Sequence, residues 1–433
     1  MGAAGRDFHD LLTFFREHPE MRVRCFTAHQ IPFIDERVFP AELAPEGYDE
    51  DIPIHPEQEL PDLVRRYGVS LVFLAYSDLS HDDVMHKASI VQSAGASFVL
   101  LGPAQTQLVS RLPVLSVTAV RTGAGKSPLS QAIAADLVSR GRRVAVLRHP
   151  MPYGDLRKQA VQRFATAADL DRHECTVEER EEYEPYLERG TTVWAGVDYR
   201  RILEQAEQES DVVLWDGGNN DTPFVRPDVG IVVADALRPG HETSYYPGET
   251  GFRSAEIIVI NKVGAADRGD VDAIRRRAGE LVPDAIVVEA DLRIGIDDVE
   301  AVRGKRVLVV EDGPTLTHGG MAYGAGTLAA REHELEVVDP RPHAVGSIAK
   351  AFAQYPHLGP VLPALGYSAA QRRELAETIR AAAPDVVLDA SPASIDRLLE
   401  LELPVVRVRY AFEQRAGPDL LELVAARLGP APG

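Results

Sequence analysis

Cysteine is nearly missing from this chain of 433 residues, whose only thiols are Cys25 and Cys175. They stand far apart and form neither a thiol-pair motif nor a zinc-ligand spacing. That excludes a disulfide scaffold and a zinc module, and points to a reducing cytoplasm. No apolar run reaches membrane length and no leader-like segment is visible, so neither a membrane span nor a secretory signal is expected. Positive charge is also in short supply. With 46 Lys and Arg against 66 Asp and Glu, the net charge is -20. Such a surface argues against general nucleic-acid or anionic-membrane binding and leaves room only for a local basic pocket. Internal repeats and low-complexity stretches are absent as well.

What is present is organised around Val114–Ser127, reading VLSVTAVRTGAGKS. A β-branched apolar run breaks into Gly123, Gly125, Lys126 and Ser127, the pattern of a buried strand, a glycine turn and a helix that cradles phosphate. Arg121, Thr122, Gly123, Ala124 and Gly125 would turn backbone toward phosphate oxygens. Lys126 would reach the outer phosphates and Ser127 would offer its hydroxyl to Mg²⁺. Val120 stands where this loop usually begins with glycine. Pro128 falls in the first helical turn, where its missing N–H costs nothing. The apolar run Val212–Trp215 ends at Asp216, the carboxylate expected to hold Mg²⁺ beside such a loop. The two motifs together predict a nucleotide site.

Around them, short apolar strands alternate with helical stretches, which predicts an α/β fold. The expected parts are an N-terminal Rossmann-like parallel sheet over 1–113, a P-loop nucleotide-binding domain over 114–300 and a C-terminal α/β region over 301–433. A strand over 286–289 is expected to run into a charged linker, and Lys158, Arg163 and Phe164 are expected on a helix. EEREE at 178–182 reads as a solvated helix face.

The strand ends deliver further candidates. Gly2 and Gly5 form a glycine turn before Arg6, Asp7 and His9, where a structural turn competes with a ligand site. Asp78, His81, Asp82 and His86 read as caps and solvated groups ahead of metal ligands. Arg148, His149 and Asp155 follow a strand at the carboxyl edge, where open α/β sheets bind ligands. Asp155 is a candidate Mg²⁺ ligand, with turn capping as the alternative, and Asp221 is a second candidate carboxylate. Arg238 and His241 are candidates for binding phosphate or substrate. Asn261-Lys262 after a strand is similar to a guanine-reading loop, which needs a carboxylate three residues after the Asn. Gly264 stands there, so adenine is favoured, and Asp267 is the nearby carboxylate at the wrong spacing. His318, Arg341 and His343, on two C-terminal loops, suit a dense phosphate anion.

Longer motifs carry a resemblance. GAAGRDFH from Gly2, VMHKAS from Val84, AVRTGAGKS from Ala119, RHPMPYGDL from Arg148, EEREEYEP from Glu178, WDGGNND from Trp215, RPGHE from Arg238, EDGPTLTHGGM from Glu311 and DPRPHAVGS from Asp339 resemble the archaeal cyclic 2,3-diphosphoglycerate synthetases and their bacterial relatives. That family normally has a strand before the first glycine turn and often Asp where Gly264 stands. The resemblance implies an ATP- and Mg²⁺-dependent ligase, with GTP as the alternative nucleotide. Its expected substrate is a small phosphorylated metabolite, 2,3-diphosphoglycerate or a related acid, closed into a phosphoanhydride ring. On this reading Lys126, Arg148, His149, Asp155, Asp216 and Asp221 carry catalysis, and Ser127, Asp155 and Asp216 hold the metal. Residues 121–127 with Asn261 and Lys262 hold the nucleotide, and Lys158, Arg238, His241, His318, Arg341 and His343 hold the substrate. A cytoplasmic homodimer without nucleic-acid or membrane partners is expected. The competing expectation is a P-loop GTPase switch or metallochaperone-like protein acting through a protein partner, although two distant cysteines make no metal-delivery cluster.

Overall fold

The computed structural model describes residues 1–2, 5–29, 37–149, 154–218, 221–317, 320–365, 369–391, 395–399 and 401–429. Its spine is a sheet of thirteen strands. The phosphate-loop strand Val114–Ala119 lies between Val212–Asp216 and Val229–Asp235, all parallel. Beyond Val212–Asp216 come Val144–Arg148, Thr192–Ala195 and an antiparallel edge strand, Gln162–Phe164. Beyond Val229–Asp235 come Ile257–Asn261 and Ile286–Ile296. Strands covered by helices on both faces read as continuous Val/Ile/Leu runs, which is why these central elements are legible. The helix Lys126–Ser139 follows the loop, with Pro128 inside its first turn.

Two expectations fail here. Arg163 and Phe164 lie on the edge strand, not on a helix, and Lys158 is exposed in the turn before it. The expected linker after residue 289 does not exist either. Ile286–Ile296 runs on as one strand whose second half pairs antiparallel with Val405–Ala416, Leu292 facing Phe412 and Ile296 facing Val408. In its second half Leu292, Ile294 and Ile296 alternate with Arg293 and Gly295. That period of two marks a half-buried strand and only looks like a charged linker.

This ribbon sets the architecture. The start of Val405–Ala416 pairs with Val386–Ala390, which pairs with Arg306–Glu311, and Glu336–Val337 closes the sheet. Because the ribbon is antiparallel, the C-terminal strands run toward the carboxyl edge of the phosphate-loop strands. The ends at Glu311 and Ala390 therefore face the nucleotide half, and the sheet crosses the expected boundary at residue 300.

The N-terminal unit has two small sheets where one was expected. Phe26–Ala28 pairs with Ile52–Pro56, which also carries Val38–Phe39, while Leu71–Phe73 pairs with Ser97–Val99. Met1 and Gly2 tie them together: the Met1 carbonyl accepts from the Ala75 amide at 2.8 Å, and the Gly2 amide donates to the Thr27 carbonyl at 2.8 Å. Phe8, Leu11, Phe14, Phe26 and Phe39 form its core. Tyr245–Tyr246 pairs with Leu79–Ser80, and Arg6 donates to the Thr222 carbonyl at 3.0 Å, so this unit is docked beside the phosphate loop.

Candidate active site

Asp216 is the centre of the site. It ends its strand fully buried, with Lys126 and Ser130 donating to one oxygen and Arg148 and Tyr186 to the other. The Ser130 and Tyr186 contacts measure 2.9 and 2.5 Å. Burial alone would raise this carboxyl, but the charges of Arg148 and Lys126 outweigh it and bring the pKa down to about 2. Lys126 is pushed down by its own burial, against the pull of Asp216. Arg148, buried like Asp216, also holds Glu182 through Nε at 3.1 Å. Glu182 belongs to the EEREE run, so that run is no solvated face. Its helix, Val177–Leu187, buries Glu179, Glu181, Tyr183 and Tyr186 and delivers Glu182 and Tyr186 to the site. Charge density alone hid this, although Tyr183 and Tyr186 at i, i+3 were the readable signal. Ser130, one turn after Lys126 on the same face, was equally readable.

The loop itself is held from behind. Gly123 and Gly125 have φ of 78° and 98°. A Cβ on Gly125 would lie 2.1 Å from Asn261 Nδ2, so only glycine fits there. Asn261 Nδ2 donates to the Ala124 carbonyl at 2.9 Å, Lys262 Nζ to the Gly123 carbonyl at 2.7 Å, and Arg238 to the Thr122 carbonyl at 2.7 Å. Lys262 and Arg238 share Asp235, whose carboxyl is pushed up by burial but lowered further by these two cations. Arg121 packs over Tyr245 and pairs with Asp78 at 2.7 Å, its guanidinium 3.3 Å from His241. Asn261, Lys262 and Arg238 therefore brace the loop backbone. Asp235 and Asp78 were not singled out for this role from sequence, and only their positions at strand and loop ends hinted at it.

A crevice between the loop side and the N-terminal unit is lined by Arg6, Asp10, Tyr76, Asp221, Thr222 and Tyr246. Here His149 Nδ1 lies 2.7 Å from the Asp221 carboxylate. Burial would raise the Asp221 carboxyl, but His149 and its other donors lower it to about 2. Among the described residues no contact joins Asp155 to Asp216. Asp155 accepts from the Arg157 amide at 3.0 Å, capping its turn, and lines a cavity of about 160 Å³ against Phe8, Arg37 and Ile54 of the N-terminal unit.

On the C-terminal side, Tyr410 lies within the electrostatic reach of Asp312, Glu181 and Glu311, after burial the causes that push its hydroxyl up. Arg409 pairs with Glu188 at 3.7 Å, so the two halves meet at the helix that carries Glu182. Arg341 and His343 follow the outermost strand and are exposed, with Arg341 held by Asp339 at 2.6 Å. No described contact joins them to the phosphate loop. His318 lies outside the described residues. Ser127 is half-buried in the first turn of the helix after the loop. Its hydroxyl and the Asp216 carboxylate are hard oxygen donors of the kind Mg²⁺ takes, but Lys126, Ser130, Arg148 and Tyr186 occupy the acceptor positions of Asp216, so the carboxylate would receive a metal only as Lys126 turns away. Among the described residues no three His, Cys, Asp or Glu side chains converge as a metal cluster.

No family model matches the chain. It is similar to tetraacyldisaccharide 4'-kinase of an Anaeromyxobacter species, 29% identical over 46% of this chain and 57% of that protein. The solved structure of LpxK from Aquifex aeolicus in complex with ATP overlaps 80% of this chain and 96% of its own at a TM-score of 0.44 and 10% identity, too distant to carry weight. Arginine synthetase ArcE of Thermococcus kodakarensis is 54% identical over 425 residues, spanning 98% of this chain and 95% of that protein. The chain belongs to the family of arginine synthetase ArcE, within the divergent P-loop lineage of the cyclic 2,3-diphosphoglycerate synthetases that its loops resemble.

Proposed function

We propose that the chain is an ATP-dependent synthetase that moves the γ-phosphoryl group to an oxygen of a small acceptor and lets a second nucleophile displace it as phosphate. The convergence of Lys126, Arg148, Ser130 and Tyr186 on Asp216 beside the phosphate loop carries this reading. Lys126 would turn from Asp216 to the γ-phosphate, and Arg148 would neutralise charge that develops during transfer. Asp216 and Ser127 would hold Mg²⁺, which supplies charge neutralisation when bound. His149, 2.7 Å from the Asp221 carboxylate, would take the proton of an attacking nucleophile.

The name of the relative makes a ureido amino acid with ammonia the first pair to test. A ureido oxygen is a poor leaving group until it carries phosphate. ATP would phosphorylate it and release ADP; ammonia would add to the ureido carbon; the C–O bond would break to release phosphate, and loss of a proton would leave the guanidine. Closing a ring on 2,3-diphosphoglycerate is the same chemistry with an internal phosphate as second nucleophile. The ureido acceptor is favoured because Arg238 and Arg341, expected to hold a polyanion, are each held by a carboxylate.

Purified protein with ATP and Mg²⁺ is to be given citrulline plus ammonium, or 2,3-diphosphoglycerate, with ADP, phosphate and product followed by phosphorus NMR and mass spectrometry. Arginine with equimolar ADP is expected. Cyclic diphosphate would move the proposal to the other acceptor. Hydrolysis stimulated only by a protein, indifferent to both, would favour a nucleotide switch.

A further inference from the structure

The crevice between the N-terminal unit and the loop side encloses about 10 Å³, room for one water-sized group. Arg6, Asp10 and Asp221 line it, with Leu101 and Pro247 as apolar wall. Arg6 is held at all three nitrogens. Nη1 donates to the Thr222 carbonyl at 3.0 Å, Nη2 to Thr106 Oγ1 at 2.9 Å, and Nε lies 3.2 Å from Asp10 Oδ1. With His149 neutral, as a base must be, the lining sets one guanidinium against two carboxylates and is one cation short.

The Asp10 carboxylate points to what is missing. Asp10 is 3% exposed, yet no hydrogen bond reaches its Oδ1, and the Arg6 contact is an ion pair without hydrogen-bond alignment. A buried acceptor without a donor is costly. The crevice also adjoins the phosphate site. Asp221 follows closely on Asp216 in the chain and pairs with His149. Pro247 precedes Gly248, which presses so closely on the Val120 carbonyl, at the start of the phosphate loop, that a Cβ has no room there.

We infer that this crevice binds ammonium, the second substrate of the proposed synthetase, with Asp10 as the residue that recognises its charge. This rests on the ammonia-dependent reaction proposed above. Ammonium is a compact cation of about the size of water, with four N–H donors and no acceptor. It supplies the donor that Asp10 Oδ1 lacks and the cation that the lining is short of. The α-amine of a ureido amino acid offers the same charge, but it carries a carbon chain that about 10 Å³ does not admit. A doubly phosphorylated acid would meet two carboxylates here and be repelled. Asp221 belongs both to the crevice and to the pair with His149, so ammonium held here stands beside the carboxylate that holds the base.

Initial rates of arginine and ADP formation by the full chain test this, with ammonium chloride and citrulline varied in turn at constant ionic strength and saturating ATP and Mg²⁺. Asp10→Asn should raise the KM for ammonium about tenfold or more, the scale of one lost hydrogen bond to a charged group. Its KM for citrulline and its kcat at saturating ammonium should stay near wild type. Leu101→Ala, which widens the apolar wall, should raise the use of methylammonium relative to ammonium, read as methylated arginine by mass spectrometry. An Asp10→Asn variant with an unmoved KM for ammonium overturns the inference. So does one that loses kcat with every KM unmoved, which would show that Asp10 only holds Arg6. So does a rise in the KM for citrulline alone, which would give the crevice to the α-amine. Should Asp10→Asn not fold, an unaltered methylammonium-to-ammonium ratio in Leu101→Ala overturns it. A wild type that forms no arginine takes down the proposed function and this inference together, whereas arginine formation with an unmoved Asp10→Asn takes down the inference alone.

Discussion

At the residue scale, three side chains set the chemistry and its pH limits. Lys126→Ala is expected to reduce turnover by ~10²–10³-fold, since one electrostatic donor to a developing charge is worth roughly 3–4 kcal/mol; a single-turnover ADP assay measures it, and normal turnover would remove the phosphate loop from the reaction. Asp216 is held at about 2 in the fold, below the ordinary ~3.9 of an unfolded Asp. Its contribution is therefore complete above about pH 4 and lost as pH falls through about 2, on the order of 2 kcal/mol. Asp216→Asn should be less stable at neutral pH and show a flatter acid limb in urea titrations between about pH 4 and 2, with Asp221 retaining its own share. Asp7 has the opposite sign. Burial, against the nearby N-terminal amine, raises it to about 7. Its stabilisation is present below about pH 4 and lost as pH rises through 7. Asp7→Asn should melt higher than wild type at pH 8 and equally at pH 4; equal melting at both would show that Asp7 carries no burial penalty.

Between residues and the whole molecule stand elements that deliver side chains to places their own sequence does not name. The helix Val177–Leu187 looks solvated in composition, yet it buries Glu179, Glu181, Tyr183 and Tyr186 against the nucleotide half. The strand Ile286–Ile296 brings Asp291 to Gly264. One consequence reverses a simple expectation from the Asn-Lys loop. Gly264→Asp should not create a guanine site, because the new side chain would overlap the Asp291 carboxylate and add a like charge. Weaker binding of both ATP and GTP is expected in calorimetry, and a gain in GTP affinity would show that Asp291 yields its place to the new carboxylate.

For the whole molecule, the antiparallel ribbon of Ile286–Ile296 and Val405–Ala416 is the decisive feature. It turns the C-terminal strands to face the phosphate-loop edge and makes one sheet of two halves. Cutting between residues 300 and 301 would leave Ile286–Ile296 as an unpaired edge with exposed Leu292, Ile294 and Ile296, a template for aggregation. Fragment 1–300 alone is expected to aggregate on size exclusion, and coexpression with 301–433 to restore a soluble nucleotide-binding complex. A monodisperse 1–300 fragment that binds ATP as the full chain does would show that the ribbon is dispensable.

The sequence by itself determined the central α/β core, the glycine turn from Gly123 to Ser127 between a strand and a helix, and the strand that ends at Asp216. Those features rest on local physics: continuous apolar runs for doubly covered strands, and glycine where a backbone must take positive φ. The tertiary structure alone decided which charges meet. Arg148 joins Asp216 to Glu182, Asn261 braces Ala124, and Asp291 fills the gap at Gly264, each across separations that periodicity cannot see. It also shows Asp155 capping its own turn and Arg341 exposed beside Asp339. Residue type states what a side chain can do; the pairing of distant strands, driven by burial of their apolar faces, decides what stands beside it.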